Sequence, residues 1–220
     1  MAKSRGVSPD AVQTTACELF AERGYRGTSM KDIAHTLDVS APNLYNHTPS
    51  KQDLLLAIMD QAMDRALVTL DEALAGADDP AEQLLRATEA SVLDFLAHPA
   101  DITVCNTEIR SLEEPNRTAI IGKRDAYAAR IRAVVDRGCA DGRFSTSQPR
   151  VATFAILELP ANALAWFNEG GELSASEVAR IYGQFALHIV GCDLGTPQRR
   201  LSASSSRRRA SSRRTPSSKP

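Results

Sequence analysis

Apolar residues recur every three or four positions along most of the chain, and this spacing predicts helices. The first helix begins at Ser8-Pro9-Asp10, which supplies a cap, a proline at the first helical position and an acid near the positive end of the dipole. Its apolar face is Val12, Ala16, Leu19 and Phe20, and Gly24 ends it. Because no stretch alternates with a period of two, we predict an all-α protein of about nine helices.

The segment from Ser29 to Lys51 predicts two short helices separated by a tight turn. Ser29 and Asp32 form a capping box for the first of them. Its buried face is predicted as Met30, Ile33, Ala34 and Leu37. Asp38-Val39-Ser40 is the turn, and the second helix covers Ala41 to His47 with Leu44 facing inward. A short polar helix braced by another helix is typical of a helix-turn-helix, so this segment predicts binding to duplex DNA.

Further helices are predicted from caps, prolines and apolar spacing after Pro49. Their predicted extents are Ser50 to Gly76, 80–97, 101–112, 115–137, 149–168 and 175–191. Gly138 and Asp141-Gly142 are expected to form a turn region. Pro160 falls inside a predicted helix, where it is expected to cause a kink. We expect this kink to bend the helix around a cavity or to shape an interface between subunits.

Charge is distributed unevenly along the 220 residues. The whole chain has 26 basic and 27 acidic residues, but residues 196–220 contain eight basic residues and no acid. Residues 1–195 therefore carry a net charge of −9, and residues 52–195 alone carry −10. Because DNA phosphates repel an acidic surface, we expect the N-terminal segment to supply the DNA contacts, with possible help from the tail.

The composition favours a cytoplasmic protein without a metal or other cofactor. No apolar run is long enough to cross a bilayer, and no hydrophobic segment follows the basic residues at the N-terminus. Cys17, Cys105, Cys139 and Cys192 lie far apart and form no C-x-x-C pair, so we expect buried thiols rather than a zinc site. Sequence motifs of enzymes are absent, and we predict that the protein is not an enzyme.

Three regions are predicted. Residues 1–52 form the helix-turn-helix domain, residues 53–195 form a ligand-binding and dimerisation domain, and residues 196–220 form a disordered basic tail. The tail is rich in Ser and Arg and has almost no apolar residue with which to order itself. It is expected either to remain solvated or to act as an arm that binds phosphates without reading sequence.

The stretch LFAERGYRGTSMKDIAHTLDVSAPNLYNHTPSKQDLL resembles the N-terminal domain of tetracycline-repressor (TetR) family regulators. The resemblance covers about 50 residues. It rests on the run into Thr28-Ser29, on Asp32-Ile33-Ala34 and Val39-Ser40, and on the Leu44-Tyr45-x-His47…Lys51 signature. The family usually has an apolar residue after the histidine, whereas this chain has Thr48. We expect Thr48 either to loosen the domain or to form a local hydrogen bond.

The resemblance and the residue chemistry together predict a set of DNA contacts. Small residues at the start of the second helix allow close approach to bases, Asn43 is able to bond a base edge or a phosphate, and Lys51 is expected to pair with phosphate. Thr28 and Ser29 are expected to form an anion site at a helix N-terminus. The full predicted set is Thr28, Ser29, Lys31, Ser40, Ala41, Pro42, Asn43, Tyr45, Asn46, His47 and Lys51.

The resemblance also implies a homodimer whose last two helices form a four-helix interface. The predicted interface residues are Phe154, Leu157, Phe185, Leu187 and Ile189. Residues 77–195 resemble the effector domain of TetR members that regulate fatty-acid, steroid or aromatic-acid breakdown, which implies a small hydrophobic effector such as an acyl-CoA. The predicted effector residues are Phe95, Ile102, Ile109, Arg110, Leu112, Arg117, Arg124, Leu159 and Trp166.

The function expected from the sequence is a ligand-responsive repressor that an effector releases from a near-palindromic operator. Two alternatives remain open at this point. One is a helical ligand-binding or catalytic protein with a vestigial helix-turn-helix, and the other is a cysteine redox sensor in which Cys105 lies near the effector region. The basic residues of the effector region are equally compatible with a solvated helix face.

Overall fold

A computed structural model of the chain describes residues 8–192. This part contains nine α-helices, one 3-10 turn and no strand, which confirms the all-α prediction. The predicted tail, residues 196–220, lies outside the described residues. The helices are α1 (Pro9–Arg23), α2 (Met30–Thr36), α3 (Ala41–Tyr45), α4 (Lys51–Ala75), α5 (Pro80–Ala97), α6 (Pro99–Thr107), α7 (Asn116–Ala140), α8 (Pro149–Trp166) and α9 (Ala175–Ile189), with the 3-10 turn at Ile109–Ser111.

Local capping signals mark the helix starts as predicted. Ser29 and Ser174 each form a complete capping box, with Asp32 and Glu177 respectively. Ser50 accepts a hydrogen bond from the backbone N–H of Asp53 and caps α4. Gly24 ends α1 with a φ of 77°, a conformation that glycine adopts without steric cost.

Two predicted elements differ most from the structure. The helix expected at 101–112 begins earlier, at Pro99, and gives way to the 3-10 turn after Thr107. The expected turn at Gly138 is instead helical, because α7 continues to Ala140. Gly138 is used for packing, since a Cβ at this position would lie 2.2 Å from two carbons of the buried Phe144 ring.

The apolar residues of the described part pack into three clusters, and α4 links two of them. The first half of α4 packs with α1, α2 and α3 through Leu55, Ile58 and Met59, each at most 1 % exposed. Its second half contributes Leu70 to the cluster formed by α5, α7, α8 and α9. One continuous helix therefore belongs to both the helix-turn-helix core and the core of the larger helical body.

No helix within residues 8–192 is both long enough and apolar enough to span a membrane.

Candidate nucleic-acid interface and effector region

Helix α3 is held by one side chain and leaves its polar edge in solvent. Leu44 is 1 % exposed and anchors the helix in the core beneath it. Ser40 caps the helix by accepting a hydrogen bond from the backbone N–H of Asn43 at 3.4 Å. Tyr45 is 51 % exposed, and Asn46 and His47 are exposed beyond it. The arrangement presents aromatic, amide and imidazole groups on a surface that is narrow enough to enter a groove.

The turn before α3 depends on Asp38. This residue has a φ of 53°, a left-handed conformation that Asp tolerates better than most residues. The N–H of Val39 then donates to the carbonyl of Ala34 at 3.0 Å and closes the turn. Because this turn sets the angle between α2 and α3, it also sets the direction in which the polar edge of α3 points.

The expected anion site at Ser29 is already filled by the protein. The backbone N–H of Ser29 donates to Asp32 Oδ2 at 2.7 Å, and the Ser29 hydroxyl donates to the same oxygen at 2.6 Å. Hydrogen bonds from Ser29 hold the pKa of the Asp32 carboxyl below its usual value, so the group is charged at neutral pH. The Asp32 carboxylate therefore occupies the donors of Ser29. Lys31, which is exposed on the same turn of α2, is the residue there that is able to bind a phosphate.

Two further residues predicted to contact DNA are structural. Thr28 is 2 % exposed, and its hydroxyl faces the carbonyls of Leu19 at 3.2 Å and Gly24 at 3.0 Å. Lys51 Nζ donates to the carbonyls of Tyr25 and Thr28, both at 2.8 Å. Its ammonium also lies 4.1 Å from the centroid of the Tyr25 ring. The polar groups of both residues therefore bind within the protein and fasten the α1–α2 connection, which argues against the predicted contacts with DNA.

Thr48 occupies the position where an apolar residue was expected. It is 6 % exposed, and its hydroxyl donates to the carbonyl of Ser50 at 3.2 Å. Of the two expected consequences, the structure therefore shows the local hydrogen bond.

A group of polar contacts joins the helix-turn-helix to the turn after α6, and sequence reasoning did not find it. Gln52 Nε2 donates to the Tyr25 hydroxyl at 2.9 Å and to the carbonyl of Ser111 at 2.8 Å. Gln52 Oε1 accepts from the backbone N–H of Glu113 at 3.2 Å. Glu108 Oε1 accepts from the backbone N–H of Tyr25 at 3.1 Å. We use the name Gln52 latch for these five residues, which are Tyr25, Gln52, Glu108, Ser111 and Glu113. Nothing in the local sequence pattern marks residues so far apart as partners.

The residues predicted to bind the effector lie in different surroundings. None of the nine lines any of the three cavities described below. Leu112 is buried in the helix-turn-helix cluster, with Ile109 packed against it, while Arg110 is exposed. Trp166 is 51 % exposed at the end of α8 and donates from Nε1 to the Tyr182 hydroxyl at 2.8 Å. Binding of an effector by these residues therefore stays a prediction.

A small cavity lies between α5, α7 and α8. Its volume is about 20 Å³. It is lined by Ala87, Thr88, Ser91, Tyr127, Ile131, Ile156, Leu157 and Pro160. The Tyr127 hydroxyl donates to Ser91 Oγ at 3.1 Å, and burial raises the pKa of the Tyr127 phenol. Pro160, which lies inside α8, is among the residues that line this cavity.

Two larger hollows lie near the surface. A cleft of about 570 Å³ separates α1 from α4 and the α5–α6 connection, and at this cleft Arg65 Nε pairs with Asp94 Oδ1 at 2.8 Å. Asp101 Oδ1 accepts from the Cys17 thiol at 3.2 Å on the same side. A groove of about 740 Å³ lies between the end of α5, the α8–α9 connection and the start of α9.

Most cations near the effector region already have partners. Lys123 Nζ lies 2.5 Å from carboxylate oxygens of both Asp60 and Asp64. Arg117 pairs with Glu114 at 2.6 Å, and Arg124 donates to the carbonyl of Cys105. A phosphate that bound to these groups would have to displace protein acceptors.

The predicted dimer residues separate into three groups by their exposure. Phe154 is 58 % exposed and Phe185 is 47 % exposed, on the outer faces of α8 and α9. Leu187 is 4 % exposed and belongs to the core of the subunit, so its assignment to an interface was wrong. Leu157 and Ile189 are half-buried against the same core. The exposed Val151 and Trp166, which were not assigned to the interface, extend the apolar surface of α8.

Comparison with family models places two known domains on the chain. Residues 14–58 match the model for bacterial regulatory proteins of the tetR family. Residues 77–190, about half of the chain, match the model for a tetracyclin repressor-like C-terminal domain. The first match covers α3 and its brace, and the second covers the small cavity and the groove at the start of α9.

Individual relatives match over most of their length. The transcriptional repressor KstR2 of Mycolicibacterium smegmatis is 23% identical over 175 residues, which cover 79% of this chain and 85% of that protein. The transcriptional activator FasR of the same species is 28% identical over 172 residues, covering 78% of this chain and 77% of FasR.

A solved structure of AibR in complex with isovaleryl coenzyme A and operator DNA has the same fold. Its TM-score is 0.73 at 23% sequence identity, and the match covers 84% of this chain and 99% of AibR.

Proposed function

The chain belongs to the tetR family of bacterial regulatory proteins, and we propose that it is a repressor released from a near-palindromic operator by a small hydrophobic effector. The observation that carries this proposal is the geometry of α3, where one buried leucine holds a helix whose polar edge is exposed. The body of the protein is acidic, so this edge is the surface on which DNA phosphates meet the least repulsion.

The proposed DNA surface is smaller than the set predicted from sequence. It keeps the exposed and half-buried residues of α3 and its ends together with the lysine on α2, and it leaves out Thr28, Ser29 and Lys51. Its members are Lys31, Ser40, Ala41, Pro42, Asn43, Tyr45, Asn46 and His47. Lys31 serves phosphate, while the side chains at the end of α3 reach base edges or the groove wall.

Dimerisation is proposed through the outer faces of α8 and α9. Exposed aromatic residues in a soluble protein mark contact surfaces when they cluster. Here the Tyr182 ring lies 6.5 Å from Trp166 and 5.6 Å from Phe185, so the aromatic groups form one patch. A twofold dimer would present two copies of α3 to the two halves of a near-palindrome.

The effector is proposed to enter the body next to the small cavity between α5, α7 and α8. An acyl-CoA is a candidate because AibR, which shares the fold, was solved with isovaleryl coenzyme A. Pockets for small molecules enclose roughly 300–1,000 Å³, so binding requires these helices to separate. The paired state of Lys123 and Arg117 favours an effector that is held mainly by apolar contacts.

Footprinting on the promoter beside the gene tests the proposal. We expect a protected near-palindromic site whose protection falls at least tenfold with an acyl-CoA ester, but not with free CoA. Absence of any protected site at moderate salt would refute DNA-binding regulation and favour the vestigial alternative. Protection that no hydrophobic effector reduces would refute only the release mechanism.

The cysteine redox sensor is the weaker alternative. Burial, together with a hydrogen bond to Asp101, raises the pKa of the Cys17 thiol far above its usual value. Burial also raises the pKa of the Cys105 thiol to about 11. Because the thiolate is the reactive form, both thiols are unreactive at neutral pH. Unchanged oxidant response in a variant with all four cysteines replaced by serine would eliminate this alternative.

A further inference from the structure

The groove between α5 and α9 has an apolar floor and an acidic rim. Leu93 and Leu173 remain 40 % and 38 % exposed in it, beside Leu96 and Phe167. Its rim carries the carboxylates of Glu169, Glu172 and Glu177. We call this surface the carboxylate groove.

The acids of this groove are available to a partner. Glu169 and Glu172 make no hydrogen bond or ion pair with any residue in the described range 8–192. Glu177 is bound by Ser174, and those hydrogen bonds keep its pKa below the usual value and its carboxylate charged. Elsewhere on the body, Asp60, Asp64 and Asp71 are paired with lysine or arginine of α7. The groove therefore differs from the general acidic surface, because it combines unpaired charge with exposed apolar side chains.

The occupant that fits this chemistry is a segment rich in arginine. A guanidinium group pairs with carboxylates through two parallel hydrogen bonds, and its aliphatic stem covers apolar surface. Residues 196–220 contain seven arginines and one lysine without any acid. We propose that, in the DNA-free protein, this segment docks in the carboxylate groove of its own subunit and leaves it when DNA phosphates compete for the arginines.

The length of the chain matches the distance to be covered. The described part ends at Cys192, beyond the C-terminal end of α9, while the groove lies at the N-terminal end of the same helix. At 1.5 Å per residue, the 15-residue helix is about 22 Å long. Arg207 lies 15 residues beyond Cys192, and a flexible chain of that length has a root-mean-square span of about 22 Å. Effective concentration is highest when the span of a linker matches the separation of its sites.

Docking has a consequence for DNA binding by the whole chain. While the arginines neutralise the groove, they are withheld from non-specific contact with phosphate. Releasing them adds cations to the DNA-bound state and strengthens its dependence on salt. The segment would thus lower binding to random sequence and still support a complex once DNA is engaged.

The test is a double-mutant cycle in the full-length protein. We expect E169Q/E172Q to strengthen binding to random duplex DNA about fivefold, because loss of two exposed ion pairs frees the segment. In a second background, Arg207, Arg208, Arg209, Arg213 and Arg214 are all replaced by glutamine. In this background, E169Q/E172Q should not change binding to random duplex DNA. The matched control E72Q/D125N removes the same charge from exposed positions that have no ion pair with described residues, and should change binding less than twofold.

A second measurement does not depend on DNA binding and keeps this proposal separable from the proposed function. Trypsin should cleave after Arg207 to Arg214 several times faster in E169Q/E172Q than in the wild type or in E72Q/D125N. Equal cleavage rates in all three proteins would overturn the docking. So would strengthened DNA binding in both arginine backgrounds, since the acids would then act only by repelling DNA. A changed dimer dissociation constant with unchanged cleavage would assign the groove to contact between subunits and refute docking of the segment.

Discussion

Gln52 Nε2 donates a 2.8 Å hydrogen bond to the carbonyl of Ser111, and this contact ties the first turn of α4 to the turn that follows α6. The same nitrogen also donates to the Tyr25 hydroxyl, on the connection between α1 and α2. The Gln52 amide thus joins α4 to two segments that are remote from it in sequence, the α1–α2 connection and the turn after α6. If the body signals to α3, the Gln52 latch is a direct physical route between them.

Replacing Gln52 by Ala removes the amide from its partners. We expect the free energy of unfolding to fall by about 1–2 kcal/mol, because partly buried acceptors lose their donors. The effector should also displace the variant from DNA less completely. Chemical denaturation and DNA titration with and without effector measure these effects. Gln184→Ala, at an exposed position of α9, should change neither quantity; an equal loss in both variants would argue against a specific role for the latch.

Lys51 and Lys31 are expected to differ in their effect on salt dependence. Lys31→Gln should reduce the slope of log affinity against log salt by about one and leave the melting temperature unchanged, because Lys31 is exposed and is assigned to phosphate. Lys51→Gln should lower the melting temperature with little change in slope, because its ammonium is bound to two carbonyls. DNA titrations at four salt concentrations separate the two roles. A slope change of one for Lys51 would return it to the DNA surface.

Thr28→Val tests whether the buried hydroxyl serves the fold or the DNA. The substitution keeps the shape of the side chain and removes the hydroxyl that donates to the carbonyls of Leu19 and Gly24. We expect a loss of about 1–3 kcal/mol in unfolding free energy and an unchanged salt slope. Thr107→Val, at an exposed helical hydroxyl, is the control and should have a smaller effect on stability. A stable Thr28 variant with a reduced slope would contradict this assignment.

Two glycines of α7 should respond to alanine with opposite signs. At Gly122 no atom lies within 4 Å of an added Cβ, so alanine should stabilise the helix by about 0.5–1 kcal/mol. At Gly138 the Cβ would meet the Phe144 ring at 2.2 Å, and we expect a loss of about 1–3 kcal/mol. Thermal or urea denaturation measures both changes. Stabilisation of the Gly138 variant would show that the ring moves aside without cost.

Phe185→Glu should separate the subunits without unfolding them. The ring is 47 % exposed in the subunit, so the charge is tolerated there but not in an apolar interface. Sedimentation should show a monomer that retains its helical circular dichroism. Val68→Glu places the same charge at a 57 % exposed position on α4 and should leave the dimer intact. A dimeric Phe185 variant would move the interface away from this face.

The features that could be read from the sequence were mostly local ones. A capping box spans four residues, so the pairs Ser29–Asp32 and Ser174–Glu177 predicted helix starts that the structure confirms. Helix α3 was also recognisable, because its anchor and cap lie within a few residues of each other. Its last turn was predicted too long, since the helical pattern does not show that Asn46 already belongs to the cap.

The effector region could not be predicted to the same depth, because a cavity depends on how helices cross. The apolar character of Leu112 and Trp166 is the same whether they line a pocket, a core or an outer surface. Only the packing shows that Leu112 joins the helix-turn-helix core and that Trp166 lies on the surface, bonded to the buried Tyr182. Gly138 is a second example. The sequence does not distinguish a glycine that ends a helix from one that makes room for an aromatic ring, as Gly138 does for Phe144.

The small size of the cavity between α5, α7 and α8 implies that sensitivity to an effector depends on the free energy needed to separate these helices. Its volume of about 20 Å³ is close to the space of a single water molecule. If a fraction f of the molecules is in the open form, the apparent dissociation constant for the effector equals the intrinsic constant divided by f. The concentration at which the protein responds is therefore a property of its own interior packing as much as of any contact with the effector. Removing one methyl group from Ile156 would therefore change the effector concentration at which the protein responds, without changing the groups that recognise the effector.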